Sequence, residues 1–197
     1  MKGSFNVSVL VFADASRPCE YGQLGYIYGL LFGDIRSDSV LHTLLWSSRK
    51  SRSPVKFIGS AEILAAGAAI DEGKRLVKAL TKLFNMDVFL SVIVDSTDLF
   101  DTLSTCRNAL DRSIRAAVSV IRYEFENQNV NHMVWVPANC NLADSLTKLN
   151  SPLNQALELL LFLANSLSTP PLPIPVHPIG LPSRHGLIDS VVSFSLF

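Results

Sequence analysis

Four acidic residues stand where the sequence pattern predicts that a strand ends or a helix begins: Asp14, Glu62, Asp95 and Asp144. Carboxylates gathered at one place repel one another strongly unless cations bind between them. The chemistry that needs such a group is phosphodiester hydrolysis, in which two Mg²⁺ or Mn²⁺ ions hold the attacking water and the leaving oxygen. The four acids are therefore predicted to be both the catalytic residues and the metal ligands.

The elements that must position these acids follow from the hydrophobic periodicity. Strands are predicted at 6–13, 25–32, 40–47, 87–94 and 132–136, and helices at 60–84, 98–104, 108–127 and from 143 onwards. The expected helix caps are Ser60 for the first helix, Ser96 and Thr97 for the second, and Asn141 for the last. The order predicts an α/β fold with a five-stranded mixed sheet flanked by helices. If its first and fourth strands are neighbours, Asp14 and Asp95 lie side by side.

The chain divides by composition into three parts. Residues 1–150 hold all the predicted strands and form one domain, 151–167 are an expected helical extension interrupted by Pro152, and 168–197 are a proline-rich tail expected to be flexible. A segment at 48–54 carries three cations, Arg49, Lys50 and Arg52, and is expected to be a loop. Next to a carboxylate site these cations could bind nucleic-acid phosphates, although a solvated loop explains them equally well.

Composition narrows the function classes. The 197 residues include 17 Lys and Arg against 17 Asp and Glu, and 48% are hydrophobic. This excludes a disordered chain and a protein that coats polyanions by bulk charge, so any nucleic-acid contact must be local. Three single cysteines without a CxxC pair favour a reducing, intracellular compartment such as the cytoplasm. No apolar run is long enough to predict a membrane span.

Each acid taken alone has an ordinary structural explanation. Asp14 could form a turn, Glu62 could complement a helix N-terminus, Asp95 could cap a helix and Asp144 could pair with Lys148 four residues later. All four at the ends of elements, in this order, are better explained by one site.

Five short sequence words resemble the ribonuclease H domain of copia-type retrotransposon polyproteins. They are Ala13-Asp14-Ala15, the words 46–50 (WSSRK) and 60–66 (SAEILAA), Val94-Asp95-Ser96, and the most specific one, 143–148 (ADSLTK). The resemblance covers about residues 7–148. It implies the ribonuclease H-like fold and an endonuclease that cuts the RNA strand of an RNA–DNA hybrid, with the four acids as its active site. It also implies a reverse transcriptase domain in the same polyprotein as a partner, and it adds a virus-like particle and the nucleus to the cytoplasm as expected locations.

The sequence departs from the family at two places. Cellular and retroviral members carry a His that assists product release where this chain has Asn139, and Asn cannot shuttle a proton; copia-type members generally lack that His too. Arg17 and Pro18 stand where the copia word for the first acid usually continues with Trp, which bears on substrate contacts and not on Asp14.

Two other function classes compete with the endonuclease. A decayed or domesticated retroelement fragment could keep the fold as a scaffold or interaction module, and the neutral net charge favours this class. The presence of all four acids speaks against decay. A transposase or integrase of the same superfamily fits less well, because those sites use three acids and lack the ending Ala-Asp-x-Leu-Thr-Lys.

Overall fold

The computed structural model describes residues 7–32, 41–105, 114–148, 150–151, 153–154, 176–179 and 191–194. The start of the helix predicted at 108–127, almost all of the extension at 151–167 and most of the tail lie outside these described residues. The domain boundaries therefore stay a prediction.

Three antiparallel strands begin the fold, as predicted: β1 (Val7–Ser16), β2 (Tyr21–Phe32) and β3 (Leu41–Pro54). β3 is longer than the predicted 40–47, because β2 begins at Tyr21 and its first residues pair with the far end of β3. The cationic segment is therefore strand and not loop, and that prediction was wrong. Leu24 pairs with Arg49 and Gln23 with Lys50. β3 is an edge strand, where exposed charges are well tolerated.

The second half of the chain adds parallel strands and the helices. These elements are α1 (Ile58–Phe84), β4 (Val88–Val94), α2 (Thr97–Ser104), α3 (Arg115–Glu126), β5 (His132–Trp135), a 3₁₀ turn (Ala138–Cys140) and α4 (Asp144–Thr147). β4 runs parallel to both β1 and β5, so the first five strands have the order β3-β2-β1-β4-β5. The predicted five-stranded mixed sheet with flanking helices is confirmed.

Two further strands extend the sheet beyond β5. β6 (Val176–Ile179) and β7 (Val191–Phe194) are antiparallel to each other, and β7 pairs with β5 in parallel at Trp135 and Val191. Within the described residues the sheet has seven strands in the order β3-β2-β1-β4-β5-β7-β6. Both strands belong to the segment predicted as a flexible tail.

Alternate residues of the central strands pack into separate cores on the two faces of the sheet. Val9 and Val11 of β1 pack with Ile70 of α1 and Ile121 of α3 on one face, while Phe12 packs on the other face with residues that include Leu142. Strands covered on both faces are apolar throughout, which explains why the β4 sequence is so hydrophobic. No helix within the described part of the chain is long and apolar enough to cross a membrane.

The structure confirms the predicted cap of one of the three helices. Ser96, and not Thr97, is the N-cap of α2, and its side chain accepts a hydrogen bond from the Leu99 N–H. Ser60 is wrong as a cap, because α1 begins two residues earlier with Phe57 at the N-cap position. Asn141 is also not the N-cap of α4, since that position belongs to Ala143. The Asn141 side chain has other partners, which belong to the site described next.

Candidate active site

The sheet topology brings the first two acids together. Asp14 lies near the end of β1 and Asp95 directly follows β4, and these strands are parallel neighbours in which Phe12 pairs with Ile93. The carboxyl ends of adjacent parallel strands lie at the same edge of a sheet, so the two side chains project from one place. The predicted juxtaposition of Asp14 and Asp95 is present.

Asp144 joins them from the short helix α4, which lies across β1 and β2. One carboxylate oxygen from each of Asp14, Asp95 and Asp144 falls within 4.8 Å of the others. Asp14 and Asp144 are buried, and Asp95 is half-buried. Two of the three acids, Asp14 and Asp95, line an open cleft of about 430 Å³, and Asp144 lies beside them behind its lining.

Glu62 lies on the wall of the same cleft and outside the cluster of three. It belongs to the second turn of α1 and is only 8% exposed, and the nearby Ala15 backbone weakly opposes the rise of its pKa. The structure therefore brings three of the four predicted acids within ligand distance of one another and holds the fourth beside them.

The electrostatics of the cleft disfavour ionised acids when no cation is bound. Burial raises the pKa of Glu62 to about 9, and the charges of Asp14 and Asp95 add to this shift. Burial also raises the pKa of Asp14 to about 6, with Asp95 adding to the shift and a hydrogen bond from Thr147 opposing it. The pKa of Asp95 is raised by burial as well, against an opposing hydrogen bond from Asn141. Burial is the main cause in each case, and a cation bound between the acids would favour their ionised forms.

Among the described residues, three side-chain donors contact the cluster of three acids, and the sequence prediction assigned none of them to the site. Asn141 Nδ2 donates to Asp95 Oδ1 over 3.1 Å, the Thr147 hydroxyl donates to Asp14 Oδ2, and Lys148 Nζ donates to Asp144 Oδ1. Burial alone would lower the pKa of Lys148, but the bond to Asp144 and the nearby Asp14 and Asp95 raise it. The ion pair of Lys148 with Asp144 was foreseen as an ordinary helical pair. The signal for Thr147 was its place in the ADSLTK word.

The donor set fits a divalent cation of the Mg²⁺ or Mn²⁺ class, which prefers carboxylate oxygens. Asp14 Oδ1 is buried and has no hydrogen-bond partner among the described residues. An unpaired buried carboxylate oxygen costs free energy that a cation would recover. The cluster therefore offers carboxylate oxygen ligands to a divalent cation.

The cations predicted to bind nucleic acid lie outside the acid cleft. Arg49, Lys50 and Arg52 are exposed and line a separate groove of about 590 Å³ between β3 and the helices α1 and α3. The Arg49 guanidinium lies 5.3 Å from the centroid of the Tyr26 ring, and Lys50 Nζ lies 4.7 Å from that of Tyr21. These three residues form a basic edge on β3 that does not contribute to the cluster.

No protein-family model matches the sequence, and no curated protein matches it either. Among solved structures, an RNase H1 isolated from compost by a metagenomic approach has 19% identity and a TM-score of 0.49, over 79% of this chain and 98% of that one. The N-terminal RNase H domain of a Mycobacterium tuberculosis protein has 18% identity and a TM-score of 0.49, over 81% and 99%. The prototype foamy virus protease-reverse transcriptase has 11% identity and a TM-score of 0.37, over 86% and 22%.

The strand order and the acid cluster are the features on which the fold assignment depends. An antiparallel trio of strands, followed by two parallel strands on the β1 side and helices that cover the sheet, is the ribonuclease H-like arrangement expected from the sequence. The chain has this fold, and it carries an acidic triad at the edge of the sheet where β1 and β4 end.

Proposed function

We propose that this chain is a metal-dependent endonuclease of the ribonuclease H type, which cleaves the RNA strand of RNA–DNA hybrids. The observation that carries the proposal is the convergence of Asp14, Asp95 and Asp144 within 4.8 Å, with Glu62 on the wall of the same cleft. A buried cluster of this kind is costly for a scaffold to keep, because its charges destabilise the folded state.

Each acid has a distinct proposed role. Asp14 and Asp95 are the central ligands of two Mg²⁺ or Mn²⁺ ions, Glu62 holds one ion and helps to orient the attacking water, and Asp144 completes the second site. When bound, the ions supply charge stabilisation for the attacking and leaving oxygens of the phosphodiester. The walls of the cleft are largely fixed by β1, β4 and α1, so the side chains need little rearrangement to bind the ions.

The proposed substrate rests on the resemblance of the short sequence motifs to copia-type ribonuclease H domains and on the distribution of charge in this chain. A hybrid would be recognised by its helical shape and its 2′-hydroxyl groups. Arg49, Lys50 and Arg52 would contact its phosphates from the basic edge of β3. With a net charge of zero, the chain would bind the hybrid weakly by itself, and a reverse transcriptase domain in the same copia-type polyprotein would supply the remaining affinity.

The test is cleavage of a labelled RNA–DNA hybrid by the full chain in Mn²⁺ or Mg²⁺ at low salt, with Asp95→Asn as the decisive variant. Asn preserves the shape of Asp and removes the charge, so we predict that Asp95→Asn abolishes cleavage and leaves the protein folded. Asp101→Asn is the matched control, because Asp101 is exposed on α2 and lies outside the cleft. Absence of cleavage by folded wild-type protein, even when joined to its upstream polymerase, would refute the proposal.

A scaffold or interaction module derived from a retroelement is the second candidate, and the neutral net charge favours it. The two candidates differ in how the protein responds to divalent cations. A scaffold whose acids have lost their role would melt at the same temperature with and without millimolar Mg²⁺, whereas a functional site raises the melting temperature by mass action.

A further inference from the structure

The segment 141–148 supplies more to the cleft than the ligand Asp144. Three of its side chains each donate a hydrogen bond to a different acid. Asn141 donates to Asp95, Thr147 to Asp14 and Lys148 to Asp144. Eight consecutive residues thus contact every member of the acid cluster.

We propose that Asn141, Thr147 and Lys148 are positioning residues, which orient the three carboxylates and set the affinity of the cleft for a divalent cation. This inference rests on the proposed function, because it assumes that the acids take up such a cation.

Asn141 is suited to this role because its side chain is completely fixed. It is fully buried, and its Nδ2 donates to the Ala13 carbonyl over 2.9 Å as well as to Asp95. Its Oδ1 accepts from the Ala143 N–H over 3.2 Å. The amide therefore joins β1, the Asp95 carboxylate and the start of α4. A side chain with three such bonds holds its partner in one orientation.

Thr147 performs the same task for Asp14. Its hydroxyl donates to Oδ2, while Oδ1 of the same carboxylate is buried without a partner among the described residues. Its backbone is held as well, since Ser16 Oγ donates to the Thr147 carbonyl over 2.8 Å. One oxygen of Asp14 is thereby fixed and the other stays available to a ligand. Donors that orient metal ligands in this way typically change metal affinity or activity about 10- to 100-fold when removed.

Lys148 has the opposite effect on the affinity for a divalent cation. Its ammonium group lies on Asp144, lines the cleft together with Asp14 and Glu62, and has a side chain 47% exposed. In the absence of a divalent cation it supplies the positive charge that the acids lack. A cation that takes the same carboxylate oxygen must displace it, so Lys148 stabilises the cation-free protein and weakens cation binding.

Because variants of Thr147 and Lys148 should change cation affinity in opposite directions, the inference can be tested by calorimetry of Mn²⁺ binding to the full chain. Thr147→Val should weaken binding at least about tenfold, and Thr147→Ser, which restores the hydroxyl, should bind as wild type does. Lys148→Met should tighten binding about tenfold, the effect of one unit charge at the screening of a half-exposed side chain. It should also lower the melting temperature in chelator, whereas Lys148→Arg should behave as wild type. A residue with only a structural role would not increase affinity when replaced.

A second measurement needs no variant. Acetylation of the Lys148 amine in wild-type protein, followed by mass spectrometry, should be slow in chelator and faster in Mn²⁺. The exposed Lys56 is the internal control and should react equally in both conditions. A Lys148 amine whose reactivity does not respond to Mn²⁺ overturns the inference even if the variants fail to fold.

The outcomes separate this inference from the proposed function. If wild-type protein takes up no Mn²⁺, both are wrong. If it binds Mn²⁺ and cleaves the hybrid, but Thr147→Val binds as tightly as Thr147→Ser or Lys148→Met binds no more tightly than wild type, only the positioning role is wrong. If the affinities shift as expected and no hybrid is cleaved, the positioning role is upheld and the proposed function is wrong.

Discussion

Replacing Glu62 by Gln should change how the stability of the cation-free protein depends on pH. The pKa of Glu62 is raised from 4.5 to about 9, with burial as the main cause. A carboxyl group with a raised pKa keeps its proton in the folded protein at pH values where the unfolded chain has lost it. The contribution of Glu62 to the free energy of unfolding is therefore largest below pH 4.5 and is lost as the pH rises towards 9.

The size of the effect follows from the proton count. Between pH 6 and pH 8 the folded protein holds one proton on Glu62 that the unfolded chain does not, so the free energy of unfolding falls by about 1.4 kcal/mol per pH unit. Asp14, whose pKa is raised from 3.8 to about 6, adds a similar slope mainly below pH 6. Over two pH units the loss due to Glu62 is about 3 kcal/mol, a large part of the stability of an ordinary domain.

Denaturant unfolding in chelator at pH 6, 7 and 8 measures this slope. Wild-type protein should lose stability across the series, and Glu62→Gln, which cannot ionise, should lose much less. Glu126→Gln is the matched control, because Glu126 is an exposed residue at the end of α3. Saturating Mg²⁺ should remove most of the wild-type slope, since a bound cation favours the ionised acids.

Two results would refute this reasoning. One is a wild-type free energy of unfolding that is flat or rises from pH 6 to pH 8 in chelator. The other is a slope that is the same in wild type and in Glu62→Gln, which would place the titrating group elsewhere.

Two further substitutions test the packing beside the site and a buried hydrogen-bond network outside it. Gly25→Ala should lower Mg²⁺ affinity and destabilise the protein by about 1–3 kcal/mol, because the added Cβ would lie 2.7 Å from Thr147 Cγ2 and 3.1 Å from the Ala143 carbonyl oxygen; unchanged Mg²⁺ affinity by calorimetry would contradict this. Glu124→Gln should cost about 1–3 kcal/mol in denaturant unfolding without a change in Mg²⁺ affinity, because buried Glu124 accepts hydrogen bonds from Lys74 and Asn129.

The sequence predicted the sheet well, because its signals are local and strong. Alternating and continuous apolar runs marked the first five strands, and the change to helical periodicity marked α1. The end of β3 was missed, since the charged run that includes Arg49 and Arg52 has the composition of a loop. Only pairing with the early part of β2 makes it a strand, and such pairing is a long-range contact that local composition does not encode.

The positions of the acids could be predicted from the sequence, but the distant residues that donate hydrogen bonds to them could not. Asp14 and Asp95 follow from strand ends, and the parallel pairing of β1 with β4 then places them together. Thr147 and Asn141 form hydrogen bonds to residues 133 and 46 positions away. No periodicity signals contacts across that separation, so only the ADSLTK word gave a hint of Thr147, and nothing pointed to the bond between Asn141 and Asp95.

Two parts of the fold position the cluster, the strand pair β1 and β4 and the short helix α4, and they differ in their tolerance to mutation. Asp14 and Asp95 are fixed by backbone pairing between two buried strands, which few surface substitutions can disturb. Asp144 lies on a helix of four residues, too short to be stable alone, that rests on β2 at Gly25 and is tied to Ser16 and Ser48 by hydrogen bonds to the carbonyls of Thr147 and Leu146. Substitutions that disturb the contacts of α4 should therefore move Asp144, while Asp14 and Asp95 stay in place. The expected consequence is loss of cation affinity ahead of loss of the fold.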